Sequence, residues 1–147
     1  MTETANERIR IEAPAARCWD VAVDFESYAE WVRDVKEVQI LERDAEGRGL
    51  RVEFRAAALG KSIRYVLEYD YREAPAAFSW KFAEGDMLRR LDGTYRFEPE
   101  GPGATRVFYD LAVELAMPLP GLVKRRAAGL IMGSALKELK KQVEAVA

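Results

Sequence analysis

From residue 35 onward the apolar residues of this chain recur at every second position, segment after segment, until the spacing changes near residue 120. Val38 and Ile40 alternate with Glu37 and Gln39, and Leu41 breaks the pattern at the segment's end. Leu50, Val52, Phe54 and Ala56 alternate with Arg51, Glu53 and Arg55. Ile63, Tyr65, Leu67, Tyr69 and Tyr71 follow, then Phe78, Trp80 and Phe82. The last two segments carry Leu91, Gly93, Tyr95 and Phe97, and then Val107, Tyr109, Leu111, Val113 and Leu115. A period of two over such lengths marks strands with one buried face. Between the segments lie turn signals, the strongest being Pro99-Glu100-Gly101-Pro102-Gly103. Consecutive strands joined by short turns form an antiparallel meander. Gly93 inside its strand suggests a bulge or a sharp bend.

The two ends of the chain complete the pattern. Ile9 and Ile11 alternate with charges over residues 6–12 and predict a first strand. Pro14 suits a helix start, and Ala15 to Val23 continue it. A second short helical stretch, Phe25 to Val32, places Phe25, Tyr28 and Trp31 at helical spacing, with Asp24 as its N-cap. After the Met117-Pro118-Leu119-Pro120-Gly121 break, Leu122, Gly129, Met132, Leu136, Leu139 and Val143 recur at helical intervals. The expected architecture is an α+β helix-grip fold in one domain, residues 1–147. A seven-stranded curved antiparallel sheet wraps around a long C-terminal helix, with two short helices after strand 1.

That architecture implies an internal space. Seven strands at ~4.8 Å spacing make a sheet roughly 30 Å across. A single helix is only about 10–12 Å in diameter. Large side chains or a ligand must fill what the helix leaves, because empty apolar volume is costly. Tyr65, Tyr69, Tyr71, Trp80, Tyr95 and Tyr109 all fall on the predicted inner face. The helix begins with small residues, Ala127, Ala128, Gly129, Gly133, Ser134 and Ala135. Buried tyrosines need hydroxyl partners, so such a cluster suggests a roomy, partly wet interior.

Composition removes several chemistries. The chain has no histidine and one cysteine, which excludes a Ser-His-Asp triad, a Cys-His dyad and a histidine or multi-cysteine zinc site. No phosphate-loop signature occurs. No metal and no cofactor are expected. The net charge of -2 gives no footprint for DNA. No stretch approaches the ~20 apolar residues that cross a bilayer, so stable membrane insertion is not expected. The single cysteine makes a reducing cytosol the simplest setting, and the polar first ten residues do not read as a secretory signal, so a cytoplasmic location is expected. The expected form is a monomer or homodimer.

The order of these elements resembles the polyketide cyclase/dehydrase family of the START-like (Bet v 1-like, SRPBCC) superfamily. The residues that carry the likeness are Val35 to Asp44, Gly93-Thr94-Tyr95-Arg96-Phe97, Gly103-Ala104-Thr105-Arg106-Val107 and the Pro118/Pro120 entry to the last helix. It covers essentially the whole chain. The resemblance implies binding of a hydrophobic small molecule (a lipid, a quinone or a polyketide-like aromatic) between sheet and helix. Its alternatives are a polyketide aromatase/cyclase and a ribosome- or protein-associated regulator, for which the basic run Lys124-Arg125-Arg126 is the only support. No catalytic set is assigned.

The candidate ligand-binding residues are Tyr65, Leu67, Tyr69, Trp80, Tyr95 and Tyr109 on the strands, Tyr28 and Trp31 at the lip, and Met132 on the helix. Arg89 joins them because it shares parity with Leu91 and Tyr95. A bulge at Gly93 would reset that parity and turn Arg90 inward instead. The plain alternatives are core packing for the aromatics and a solvated surface for the arginine. Arg51, Glu53, Arg55, Arg64, Glu68 and Lys81 read as the outer charged face.

Overall fold

The computed structural model describes residues 2–58, 61–116, 120–123, 125 and 135–145. Its elements are β1 (Thr2–Ile11), α1 (Ala15–Val23), a 3-10 turn (Phe25–Ser27), α2 (Tyr28–Trp31), β2 (Val35–Arg43), β3 (Gly49–Ala58), β4 (Lys61–Asp70), β5 (Ala77–Gly85), β6 (Leu88–Pro99), β7 (Thr105–Leu115) and α3 (Ala135–Ala145). The strands form one antiparallel sheet in the order β1-β7-β6-β5-β4-β3-β2. Among the described strands only β1 and β2 are consecutive in the chain without being neighbours in the sheet. Their connection carries α1, the 3-10 turn and α2 from one edge of the curved sheet to the other.

Alternation translates directly into burial. Along β7 every second residue from Thr105 to Leu115 is buried. β1 is longer than its apolar pattern suggested and reaches back to Thr2, in register with β7 over its whole length. An edge strand can be held by its backbone ladder alone, so charged residues there do not prevent pairing. Leu41, which broke the pattern of β2, has no partner between Ile40↔Val52 and Glu42↔Arg51 and lies in a register shift. The bulge leaves it exposed.

Gly93 behaves differently from expectation. It lies in register, between Trp80 on β5 and Leu111 on β7. The reason for glycine is space: a Cβ there would stand 2.3 Å from Cζ2 of Trp80 and 2.7 Å from the Asp110 carbonyl oxygen. The irregularity in β6 sits instead between Leu88 and Arg90.

α3 lies against β1 and α1. Leu136, Leu139 and Val143 are its buried face, and the last two have no exposed surface. Burying each contributes roughly 1.5–3 kcal/mol. Polar anchors fix its position. Glu144 accepts the Glu12 backbone N–H at 2.9 Å, Lys140 donates to the Arg10 carbonyl at 2.8 Å, and Glu138 accepts the Arg33 backbone N–H at 2.5 Å. The outer face of the sheet carries the expected ion pairs, Arg51–Glu68 at 3.0 Å and Arg64 to both Glu53 and Glu84. Exposed pairs of this kind add about 1 kcal/mol or less each.

Candidate functional site

The concave side of the sheet is filled unevenly. At one end α1 and the 3-10 turn insert Trp19 and Phe25. Trp19 meets Phe78 and Phe97 edge-on, at ring-centroid distances of 5.4 and 5.9 Å. Phe25 packs against Tyr69 at 4.3 Å. This end is a solid aromatic plug. Towards α2 and α3 the packing opens into a cavity of about 170 Å³.

Tyr28 and Trp31 border the cavity at α2, Tyr65, Leu67 and Tyr69 on β4, Trp80 on β5, Tyr95 on β6 and Tyr109 on β7. Sequence reasoning named all of these. It did not select Phe54, Leu91 and Leu111, which also line the wall although their inward parity was legible. Two lining carboxylates, Asp34 and Glu138, were missed outright. Asp34 follows α2 with no periodic signal, and its carbonyl accepts the Ala57 N–H at 2.8 Å. Glu138 lies three residues after Ala135, beside the apolar stripe of α3, and that spacing was the available clue. Met132 lies outside the described residues, as do Lys124 and Arg126.

Arg89 is a correction. The register shift between Leu88 and Arg90 inserts an extra residue, so Leu88 and Leu91 both face inward and line the cavity. Arg89 points out, 67% exposed, with its guanidinium 4.0 Å from Glu114. The Arg90 alternative fails as well: its side chain is half exposed and bonds Asp92 at 2.8 Å.

The tyrosines define the chemistry. Tyr28 donates to the Ala22 carbonyl and Tyr71 to the Gly49 carbonyl, the latter at 2.6 Å. Among the described residues the hydroxyls of Tyr65, Tyr69, Tyr95 and Tyr109 have no hydrogen-bond partner. Tyr69, Tyr95 and Tyr109 are only 9%, 8% and 7% exposed. Burial pushes every one of the six tyrosines above its ordinary value, so all are neutral O–H groups near pH 7. Burial also raises the Cys18 thiol, which leaves it a packing group on α1. No group of three or more Cys, Asp or Glu that could hold a metal occurs among the described residues.

The arrangement is therefore a half-closed aromatic chamber with unengaged hydroxyls inside and carboxylates at its lip. The model of a family described as polyketide cyclase/dehydrase and lipid transport matches residues 2–144. The chain belongs to that family.

Solved structures agree with a polyketide cyclase/dehydrase family fold. A START superfamily protein from Mycobacterium smegmatis superposes with a TM-score of 0.89 at 25% identity, covering 98% of this chain and 99% of that one. A protein from Thermus thermophilus gives 0.83 at 28% identity, with 99% of both chains covered. An aromatase/cyclase from a Streptomyces species gives 0.85 over 98% of this chain and 94% of its own. At 15% identity that last likeness shows the fold alone. No curated protein matches the chain in sequence. Among the described residues no helix is long and apolar enough to cross a membrane.

Proposed function

We propose that this family member binds a small, flat hydrophobic molecule, aromatic or quinone-like, that carries carbonyl-type hydrogen-bond acceptors. The observation that carries the reading is the set of partnerless hydroxyls on Tyr65, Tyr69, Tyr95 and Tyr109 around one cavity. None of these four hydroxyl oxygens is sealed off as a buried atom without a partner. Each opens on the cavity, where a ligand oxygen can take the place of water, and the surrounding rings supply the flat apolar contact. Size narrows the choice. A cavity of about 150 Å³ takes up benzene, so 170 Å³ suits one ring or two fused rings better than a long acyl chain.

A second reading, aromatase/cyclase activity, is favoured by Asp34 and Glu138 standing on the same wall as the tyrosines. A carboxylate base beside an O–H donor is the pairing that enolisation needs. The modest volume favours binding over the folding of a long poly-β-keto chain.

Calorimetric titration with acetonaphthone and with ethylnaphthalene, which has the same shape but no carbonyl, tests the first reading. The ketone binds about fivefold to tenfold tighter, one hydrogen bond's worth. In a Tyr95→Phe/Tyr109→Phe variant this advantage shrinks while thermal stability holds or rises, because hydroxyls without protein partners have been removed. Equal affinity for the two compounds, or no binding of either, defeats the reading.

A further inference from the structure

The depth of the chamber is set from behind its wall. Phe25, on the 3-10 turn, is 1% exposed and does not itself border the cavity. Its ring meets those of Tyr28, Phe54, Tyr69 and Phe78 at centroid distances of 5.4, 6.4, 4.3 and 6.3 Å. All four of these neighbours border the cavity. Phe25 therefore stands directly behind them and leaves their rings nowhere to retreat. Its seat is prepared on β3: a Cβ on Gly49 would stand 3.1 Å from Cδ2 and 3.3 Å from Cε2 of Phe25. The turn that carries Phe25 is tied down as well. The Ser27 hydroxyl donates to the Asp24 carboxylate at 2.7 Å, and the Tyr28 hydroxyl donates to the Ala22 carbonyl.

We infer that Phe25 is the back-stop of the chamber and limits its ligand to two fused rings. The inference rests on the binding reading above and adds to it a size limit with a named cause. A close-packed interior yields little, so one more ring must displace a side chain or stay out. Tyr69 cannot give way, because the Phe25 ring lies 4.3 Å behind it. Removing the Phe25 ring opens a void against four wall residues. A longer flat ligand can fill that void, as apolar molecules fill apolar cavities made by large-to-small substitution. Trp19, the other half of the aromatic plug, provides the contrast. Its ring meets Tyr71, Phe78 and Phe97, and of these three Phe78 alone borders the cavity. Its loss leaves the Phe25 back-stop in place.

The test compares acetonaphthone with acetylanthracene, which adds one fused ring, by fluorescence titration. The wild-type chain holds acetylanthracene at least about tenfold more weakly than acetonaphthone. In Phe25→Ala the order reverses: acetylanthracene tightens about tenfold or more, and acetonaphthone changes less. Phe25→Leu, a smaller loss of packing that serves if the alanine variant does not fold, narrows the same gap about threefold. Trp19→Leu also loses stability, yet its preference stays within about twofold of the wild-type value. Acetylanthracene binding the wild-type chain as tightly as acetonaphthone overturns the size limit and leaves the binding reading intact. A gap that neither Phe25 variant narrows overturns the inference too, as does one that Trp19→Leu narrows as far as Phe25→Leu. Failure of acetonaphthone itself to bind the wild-type chain overturns the binding reading, and the size limit with it.

Discussion

Gly93→Ala destabilises the protein by about 3 kcal/mol, the upper part of the range for overpacked interiors. The methyl group would sit 2.3 Å from Cζ2 and 2.7 Å from Cε2 of Trp80, with the Asp110 carbonyl oxygen at 2.7 Å on its other side. The carbonyl belongs to the β7 backbone and cannot move without disturbing the ladder. Trp80 is hemmed in by Tyr69, Phe78, Tyr95 and Tyr109, whose ring centroids lie 5.5 to 6.0 Å away. Its only relief is to swing into the cavity it borders. The substitution therefore affects two readouts together. The thermal midpoint falls by roughly 10 °C at the few degrees per kcal/mol usual for a chain of this size, and acetonaphthone binding is lost. Denaturant unfolding and calorimetry measure both. A second change, Trp80→Leu, returns part of the lost stability in the Gly93→Ala background, because it removes the partner of the clash. A loss below about 1 kcal/mol would show that the Trp80–Gly93 contact is looser than described.

Stability also collapses within one to two pH units above pH 10, and tyrosinate appears in the same step. All six tyrosines of the chain are raised, chiefly by burial, from an ordinary value of 10.0. Below pH 10 the phenols are protonated in the folded and the unfolded chain alike, and the pH has no leverage through them. Above it the unfolded chain releases protons that the folded chain retains. Unfolding then gains about 1.4 kcal/mol per pH unit for each such group. With all six contributing, the slope is about 8 kcal/mol per pH unit at most. A typical stability of about 5–15 kcal/mol is consumed quickly at that slope. Parallel titrations by tyrosinate absorbance and near-ultraviolet circular dichroism follow the event. Coincident, steep transitions support a buried, neutral tyrosine cluster. Gradual ionisation around pH 10 with the dichroism intact would mean that the hydroxyls are already in bulk water.

How far the sequence discloses this design differs from element to element. The inner faces of β4 and β7 were legible because one phase is apolar from Ile63 to Tyr69 and from Val107 to Leu115, while the other carries most of the charges, with Val66, Phe108 and Ala112 the apolar exceptions. Tyr65, Tyr69 and Tyr109 follow from it. Arg89 was misplaced because a bulge shifts parity by one residue, and no residue type marks it. The one glycine in that strand, Gly93, pointed to the wrong position. It is there for Trp80, a partner on the neighbouring strand that local sequence cannot reveal. Asp34 and Glu138 were invisible for a related reason. Each is an ordinary charged residue at an element's end or flank, and only the crossing of α3 over the α2–β2 segment brings them to one lip. Periodicity reports which face a residue occupies; it does not report which faces from distant segments converge.

Ligand binding in this chain depends on a chamber whose unengaged tyrosine hydroxyls take a ligand oxygen. A crystal structure of the chain grown with acetonaphthone tests this most directly. The expected density is a fused ring between β4, β6 and α3, its ketone oxygen about 2.7–2.8 Å from the oxygen of Tyr65, Tyr69, Tyr95 or Tyr109. A chamber filled by Trp80 and its neighbours, with the ketone absent or lodged on the outer face of the sheet, would contradict it.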